Sequence, residues 1–252
     1  MAGIEVERLE HVVSRRHVLE VGVTAAGGIL AASWLAACSP LATATAGAPA
    51  SLVPVTNADE ALQRLKDGND RFSGDASISH NEDTVRRAET AESQEPFAIV
   101  LGCADSRVPP ELVFDQGLGD IFTVRVAGNS AADAGILGSI EYAAEHLHSL
   151  IVVVLGHETC GAVKAAMAQV QDGPTEHGHI PAVIEPIIAA IQAVQSIPAD
   201  QRIEAAVKEN VKRQGEAIAG SADILKGLVD AGKLKVVGAE YHLATGKVEF
   251  LS

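Results

Sequence analysis

Leu150-Ile151-Val152-Val153-Val154-Leu155-Gly156-His157-Glu158-Thr159-Cys160-Gly161 decides the fold class of this chain. Its first half is the most apolar run in the sequence and reads as a strand. Its second half places an imidazole and a thiol three residues apart, where the strand ends and a helix begins. Upstream, Phe97-Ala98-Ile99-Val100-Leu101-Gly102 is also continuously apolar, as a strand covered on both faces requires. That run ends on Cys103-Ala104-Asp105-Ser106-Arg107. Open parallel sheets bind ligands at the carboxyl ends of their strands, so these two strand ends mark the site.

Working outward, residues 57–72 carry Ala58, Ala61, Leu62, Leu65 and Phe72 at helical spacing. A loop covers 74–81, and a short charged helix covers 83–93 until Pro96. Residues 121–126 form a second strand closed by Gly128 and Asn129, followed by a helix over 130–148. Helices are expected over 161–170, 181–194, 202–219 and 222–230, with a loop over 171–180. The chain closes with strands at 234–241 and 247–251, a hairpin or edge pair around Thr245-Gly246. Strands alternating with helices imply an α/β fold with a central, mainly parallel β-sheet flanked by helices. Residues 57–252 read as one domain.

The composition is 47% hydrophobic and 3% aromatic, so Val, Ile, Leu and Ala carry the core. A formal charge of -14, without a cluster of Lys and Arg, excludes nucleic acid as a partner. Neither the G-x-G-x-x-G fingerprint nor a P-loop is present. The three cysteines, Cys38, Cys103 and Cys160, imply no disulfide framework.

The first 37 residues read as an export signal. Arg15-Arg16 precedes an apolar, Gly- and Ala-rich stretch without charge after Glu20, which resembles a bacterial twin-arginine signal. Val18 and Glu20 depart from the usual pattern. Leu35-Ala36-Ala37-Cys38 resembles a lipobox, making Cys38 a lipidation candidate that would attach the protein to a membrane. Cleavage at Ala44-Thr45-Ala46 would instead release a soluble protein, and an uncleaved anchor is the third reading, although the span is short for a bilayer. Residues 38–56 read as a tether. The expected location is therefore the periplasm, cell envelope or exterior.

Two thiols, an imidazole and a carboxylate form the ligand set of a four-coordinate zinc ion. Singly, an Asp-x-Arg pair is a surface salt bridge and a Cys a small buried hydrophobe; together, at two strand ends, they point to metal. A Cys103–Cys160 disulfide is the alternative, and it leaves His157 and Asp105 unexplained. Cys103, His157 and Cys160 supply three ligands. Asp105 is a weak fourth ligand, which would close the site, but Arg107 can take a bidentate hold on it and leave a position for water. Water on such a zinc has its pKa lowered to about 7.

Cys103-Ala-Asp-Ser-Arg107, Phe114-Asp115, Gly119-Asp120, Val124-Arg125, Ala127-Gly128-Asn129 and Gly156-His157-x-x-Cys160-Gly161 together resemble the β-class carbonic anhydrases. The resemblance implies one zinc per subunit on Cys103, His157 and Cys160, with Asp105 and Arg107 orienting the zinc-bound hydroxide. It implies that Gln94 and Gly161 hold CO2 or bicarbonate, and that Phe122, Ala127 and Tyr142 line an apolar CO2 pocket partly supplied by a partner subunit. A homodimer or tetramer follows, as does reversible hydration of CO2. The members closed by aspartate carry Trp three residues before the first Cys; this chain has Val100 there, its only Trp being Trp34, although Arg125 is retained. CS2 or COS as substrate, or a non-catalytic zinc-binding envelope protein, are the alternatives. His80, His177 and His179 read as surface loop residues, and His146 and His148 as helix-end residues.

Overall fold

The computed structural model describes residues 54–221 and 224–251; the expected export signal, Cys38, Trp34 and the tether up to residue 53 lie outside the described residues. One sheet holds β1 (Ala98–Gly102), β2 (Ile121–Arg125), β3 (Ile151–His157), β4 (Lys235–Tyr241) and β5 (Val248–Leu251), in the order β2-β1-β3-β4-β5. The first four are mutually parallel, and β5 pairs antiparallel with β4 at the edge. The helices are α1 (Ala58–Ser73), α2 (Thr84–Glu89), α3 (Pro110–Val113), α4 (Ala134–Glu145), α5 (Gly161–Asp172), α6 (Ile180–Ile184), α7 (Ile188–Ala193), α8 (Arg202–Ala219) and α9 (Leu225–Asp230).

Every residue of β1 and β3 is buried, which explains why their sequences show no polar face. Alternate side chains serve two cores. Ala98, Val100, Ile151, Val153 and Leu155 pack with Ala61 and Leu65 of α1. Ile99, Leu101, Val152 and Val154 pack with Ile140 and Ala143 of α4 and Val211 and Ile218 of α8. A third cluster joins Cys103 and Cys160 to Val163, Ile187, Ile191 and Val207, so the strand ends are covered by α5, α7 and α8.

Two glycines let α8 approach the sheet closely. A Cβ on Gly156 would lie 2.5 Å from Val211 Cγ2, and one on Gly238 would lie 2.7 Å from Val211 Cγ1. Bare backbone on neighbouring strands thus seats Val211 and brings the next turn of α8 over the site.

The helix expected over 181–194 is broken. Pro186 lacks an N–H, and a 3₁₀ turn, Glu185–Ile187, separates α6 from α7. The helix expected from residue 130 begins only at Ala134, because the Asp133 side chain accepts from the N–H groups of Gly135 and Ile136. The helix expected over 83–93 ends at Glu89, and the short α3, with Pro110 at its first position, was not anticipated.

Candidate metal centre

The order β2-β1-β3 makes the chain turn to one side after β1 and to the other after β3, a topological switch point between adjacent parallel strands. Cys103 directly follows β1, His157 ends β3, and Cys160 directly precedes α5. The turn between His157 and Cys160 is tight enough to hold Thr159 at φ 53°, a conformation a β-branched residue rarely adopts. It aims both side chains at one point.

Cys103 is 5% exposed, Cys160 1% and His157 0%. One ligand atom from each lies within 4.8 Å of the others. The two sulfurs are 4.0 Å apart and both thiols are free, so the disulfide reading fails. His157 Nδ1 lies 2.9 Å from the carbonyl of Glu158, to which it donates, leaving Nε2 buried without a hydrogen bond. A buried, unpartnered imidazole nitrogen facing two thiols is costly unless a cation completes it. The donor set therefore fits zinc.

Without metal the two thiols share a proton unequally. The Cys160 thiol donating to Cys103 draws Cys103 down to about 4, against the opposing cost of burial, with help from His157 and the N–H groups of Gly128 and Asp105. Cys160 is pushed up, first because it is the donor in that pair and then by burial. The Gly128 N–H lies 3.4 Å from Cys103 Sγ. Gly128 takes φ 75°, and a Cβ there would lie 2.5 Å from Ile187 Cδ1, so only glycine presents this N–H to the sulfur.

Asp105 spends both oxygens on Arg107. Oδ1 accepts from the Arg107 backbone N–H and Nε, each at 2.9 Å, and Oδ2 accepts from Nη2 at 2.7 Å. These bonds hold its carboxyl well below the usual carboxylate range, against the cost of burial. Asp105 Oδ2 is also 3.8 Å from His157 Nε2, so the anion stands beside the donor set while its oxygens remain engaged by Arg107. Arg125, an exposed residue of β2, donates to the carbonyls of Cys103 (2.9 Å) and Asp105 (2.5 Å), clamping the loop after β1.

Of the expected substrate residues, Ala127 and Gly161 lie at the cluster. Ala127 opens the 3₁₀ turn that contains Gly128, and Gly161 is exposed beside Cys160 with nothing within 4 Å of where a Cβ would stand. Gln94 and Tyr142 do not. Both line a groove of about 980 Å³ near the amino end of β1, whereas Cys103 follows its carboxyl end. Phe122 pairs in register with Ile99 and packs on the α4 side of the sheet. Within one chain these three are not brought to the metal ligands.

A carbonic anhydrase family profile matches residues 98–248. A carbonic anhydrase of Mycolicibacterium smegmatis is 38% identical over 79% of this chain and 96% of its own length. Carbonic anhydrase 2 of Mycobacterium tuberculosis is 36% identical over 77% of this chain and 93% of its own. This chain belongs to the carbonic anhydrase family. Solved structures place it in the β class: one from Aspergillus fumigatus superposes with TM-score 0.60 at 27% identity over 73% of this chain and 87% of its own. A second, the Coccomyxa β-carbonic anhydrase, gives TM-score 0.59 at 26% identity over 78% and 87%.

Other motif residues of this β-class chain hold the frame. Asp115 accepts from Arg71 Nε and from the N–H groups of Ile78 and Ser79. Asp120 accepts from Asn81, Arg86 and the Gly117 N–H. His80, read as a surface loop residue, has a side chain only 7% exposed, 3.4 Å from Asp120, because the loop folds back on that carboxylate.

Two site residues were missed. Asn210 on α8 donates to the Gly128 carbonyl at 2.9 Å; Gln214 donates to Asn210 and accepts from the Ala131 N–H at 2.8 Å. This buried chain of amides pins the turn that faces Cys103. Its signal was available: two amides four residues apart on the otherwise apolar face formed by Ala206, Val207, Val211 and Ile218.

The unequal thiol pair sets a pH dependence. Because the Cys103 pKa is depressed, metal-free protein should show the ultraviolet absorbance of one thiolate per chain at neutral pH, fading as pH falls through about 4. In Cys160→Ala, which removes the donor, the same absorbance should vanish at higher pH, and an unchanged titration would reject the pairing.

Proposed function

We propose that this chain catalyses the reversible hydration of CO2 to bicarbonate and a proton, using zinc held by Cys103, His157 and Cys160. The observation that carries the reading is the buried two-thiol, one-imidazole donor set with an unpartnered Nε2, beside an arginine-locked aspartate. Zinc at such a donor set supplies the Lewis acidity that makes water nucleophilic near neutral pH.

The chain's own groups do the rest. Asp105, kept ionised by Arg107, is an acceptor only; it would accept a hydrogen bond from the attacking oxygen, without taking its proton, and so turn the oxygen's lone pair towards the carbon of CO2. Arg107 keeps that acceptor off the metal ligands. The open space at Gly161 and the small side chain of Ala127 leave room for a small, uncharged electrophile next to Cys160. Asn210 and Gln214 hold Gly128 so that its N–H supports the charge on Cys103. Stopped-flow CO2 hydration by zinc-loaded protein tests this directly. Asp105→Ala should retain zinc and lose rate by about 10²-fold or more; full activity would reject its role.

Gln94 and Tyr142 lie on a face of the chain remote from its own metal ligands, and both are exposed. We assign them to the site of a second copy, in a two-fold dimer in which each subunit offers this groove to the other's zinc. Mixed dimers of Gln94→Ala with Cys160→Ser should then regain activity absent from either parent, because one zinc site meets one intact Gln94. No recovery on mixing and refolding would refute the shared site.

For residues 1–56 we retain the export reading, with a signal over 1–37 and a tether over 38–56. It rests on Arg15-Arg16, the uncharged stretch to Ala37 and Cys38. No helix among the described residues is long and apolar enough to cross a membrane. Arg15→Lys with Arg16→Lys should leave the protein inside the producing cell, measured by fractionation; normal export would remove the twin-arginine assignment.

A further inference from the structure

The carboxyl end of β4 carries a second group of metal-ligating side chains that CO2 hydration does not use. Glu240 on β4 and Glu249 on β5 stand directly opposite each other in the antiparallel ladder. His242 follows Glu240 by two residues and so shares its face of the chain. One ligand atom from each of Glu240, His242 and Glu249 lies within 4.8 Å of the others, the same limit that the thiol cluster meets. Two carboxylates directly opposed across a ladder repel. Burial sharpens the conflict, since the Glu240 side chain is 0% exposed and neither of its oxygens accepts a hydrogen bond. Burial pushes the Glu240 carboxyl up, so its ionised form depends on a cation beside it.

The histidine is already oriented for one. His242 Nδ1 donates to Glu158 Oε1 at 2.8 Å, and Glu158 Oε2 is itself held by the Leu243 N–H at 2.9 Å. That leaves Nε2 directed at the acidic pair, 3.6 Å from Glu249 Oε2. A fixed carboxylate behind one ring nitrogen is how proteins set the other as a metal ligand. Lys208 answers part of the negative charge from α8, with Nζ 3.1 Å from Glu249 and 3.5 Å from Glu240. It has another place to go: Glu204, one helical turn away and 61% exposed, is already 3.1 Å from the same ammonium.

We propose that Glu240, His242 and Glu249 form a second divalent-cation site, selective for ions that accept carboxylate and imidazole together, with Lys208 as its internal competitor. An O₂N donor set without sulfur suits Mn2+ and other first-row ions, whereas the thiolate centre selects zinc. The two sites share one residue. The Glu158 carbonyl receives His157 Nδ1, and the Glu158 carboxylate receives His242 Nδ1.

The test is a Mn2+ titration of full-length, zinc-loaded protein, followed by the loss of the free-ion paramagnetic resonance signal. It is independent of any activity assay, and the thiolate site is kept occupied by zinc. One Mn2+ per chain should bind saturably. Glu249→Gln, which changes a half-exposed side chain, should weaken binding by about tenfold or more, since even an outer partner of a metal ligand costs that much when lost. Lys208→Met should tighten binding severalfold, an effect that a purely structural ion network would not produce. Zinc content measured in parallel reports whether each variant is folded. Absence of saturable Mn2+ uptake in both the wild type and Lys208→Met overturns the proposal, and so does uptake that Glu249→Gln leaves unchanged.

Discussion

Parallel pairing of β1 with β3, in the register Ala98↔Ile151 through Gly102↔Leu155, is the constraint on which the rest of the structure depends. It places the residue after β1 and the last residue of β3 at the same end of the sheet, so that Cys103 and His157 meet although they are remote in sequence. Antiparallel pairing would have sent the two motifs to opposite ends. Burial of every residue in both strands makes the arrangement rigid, since a one-residue slip would move each apolar side chain into the wrong core. Four of the five strands share this direction, and the antiparallel β5 closes the edge without disturbing it.

Around that meeting point the chain builds a charge balance that is incomplete by itself. Two buried thiols lie 4.0 Å apart, the imidazole nitrogen beside them has no hydrogen-bond partner, and Asp105 is neutralised from outside by Arg107. Such a group is stable only if its geometry is enforced. The enforcing parts are ordinary ones: Arg125 on two loop carbonyls, the Asn210–Gln214 amides on the Gly128 turn, and Thr159 in a left-handed conformation. The closeness of α8 that lets Asn210 reach Gly128 in turn depends on Gly156 and Gly238 having no side chain.

The zinc-ligand candidates were legible because each sits within a residue or so of a strand or helix end, where its direction follows from the strand that carries it. Asp105 and Arg107 were legible because only Ser106 separates them and their pairing is local. Gln94, Phe122 and Tyr142 entered through family resemblance, and a single chain holds them away from the cluster, since nothing in the spacing of Gln94 and Cys103 says that a five-residue strand stands between them. Asn210 and Gln214 carry no motif at all. Their importance comes from α8 crossing the strand ends, and only the polar interruption of an apolar helical face hinted at it.

The elements themselves divide in the same way. The helix at 202–219 and the five strands were readable from periodicity and hydropathy, because burial on one or both faces imposes those patterns directly. The helix at 181–194 was misjudged where Pro186 breaks it, and the start of α4 was set by the Asp133 cap. The sequence alone therefore determined an α/β sheet with two strand ends that carry metal-ligating side chains, since local hydropathy and residue chemistry are sufficient for both. Only the tertiary structure decided which strands are neighbours, that Asn210 reaches Gly128, and that Glu240 lies buried against Glu249. Those depend on long-range packing, where contact is set by how layers close on one another and not by distance along the chain.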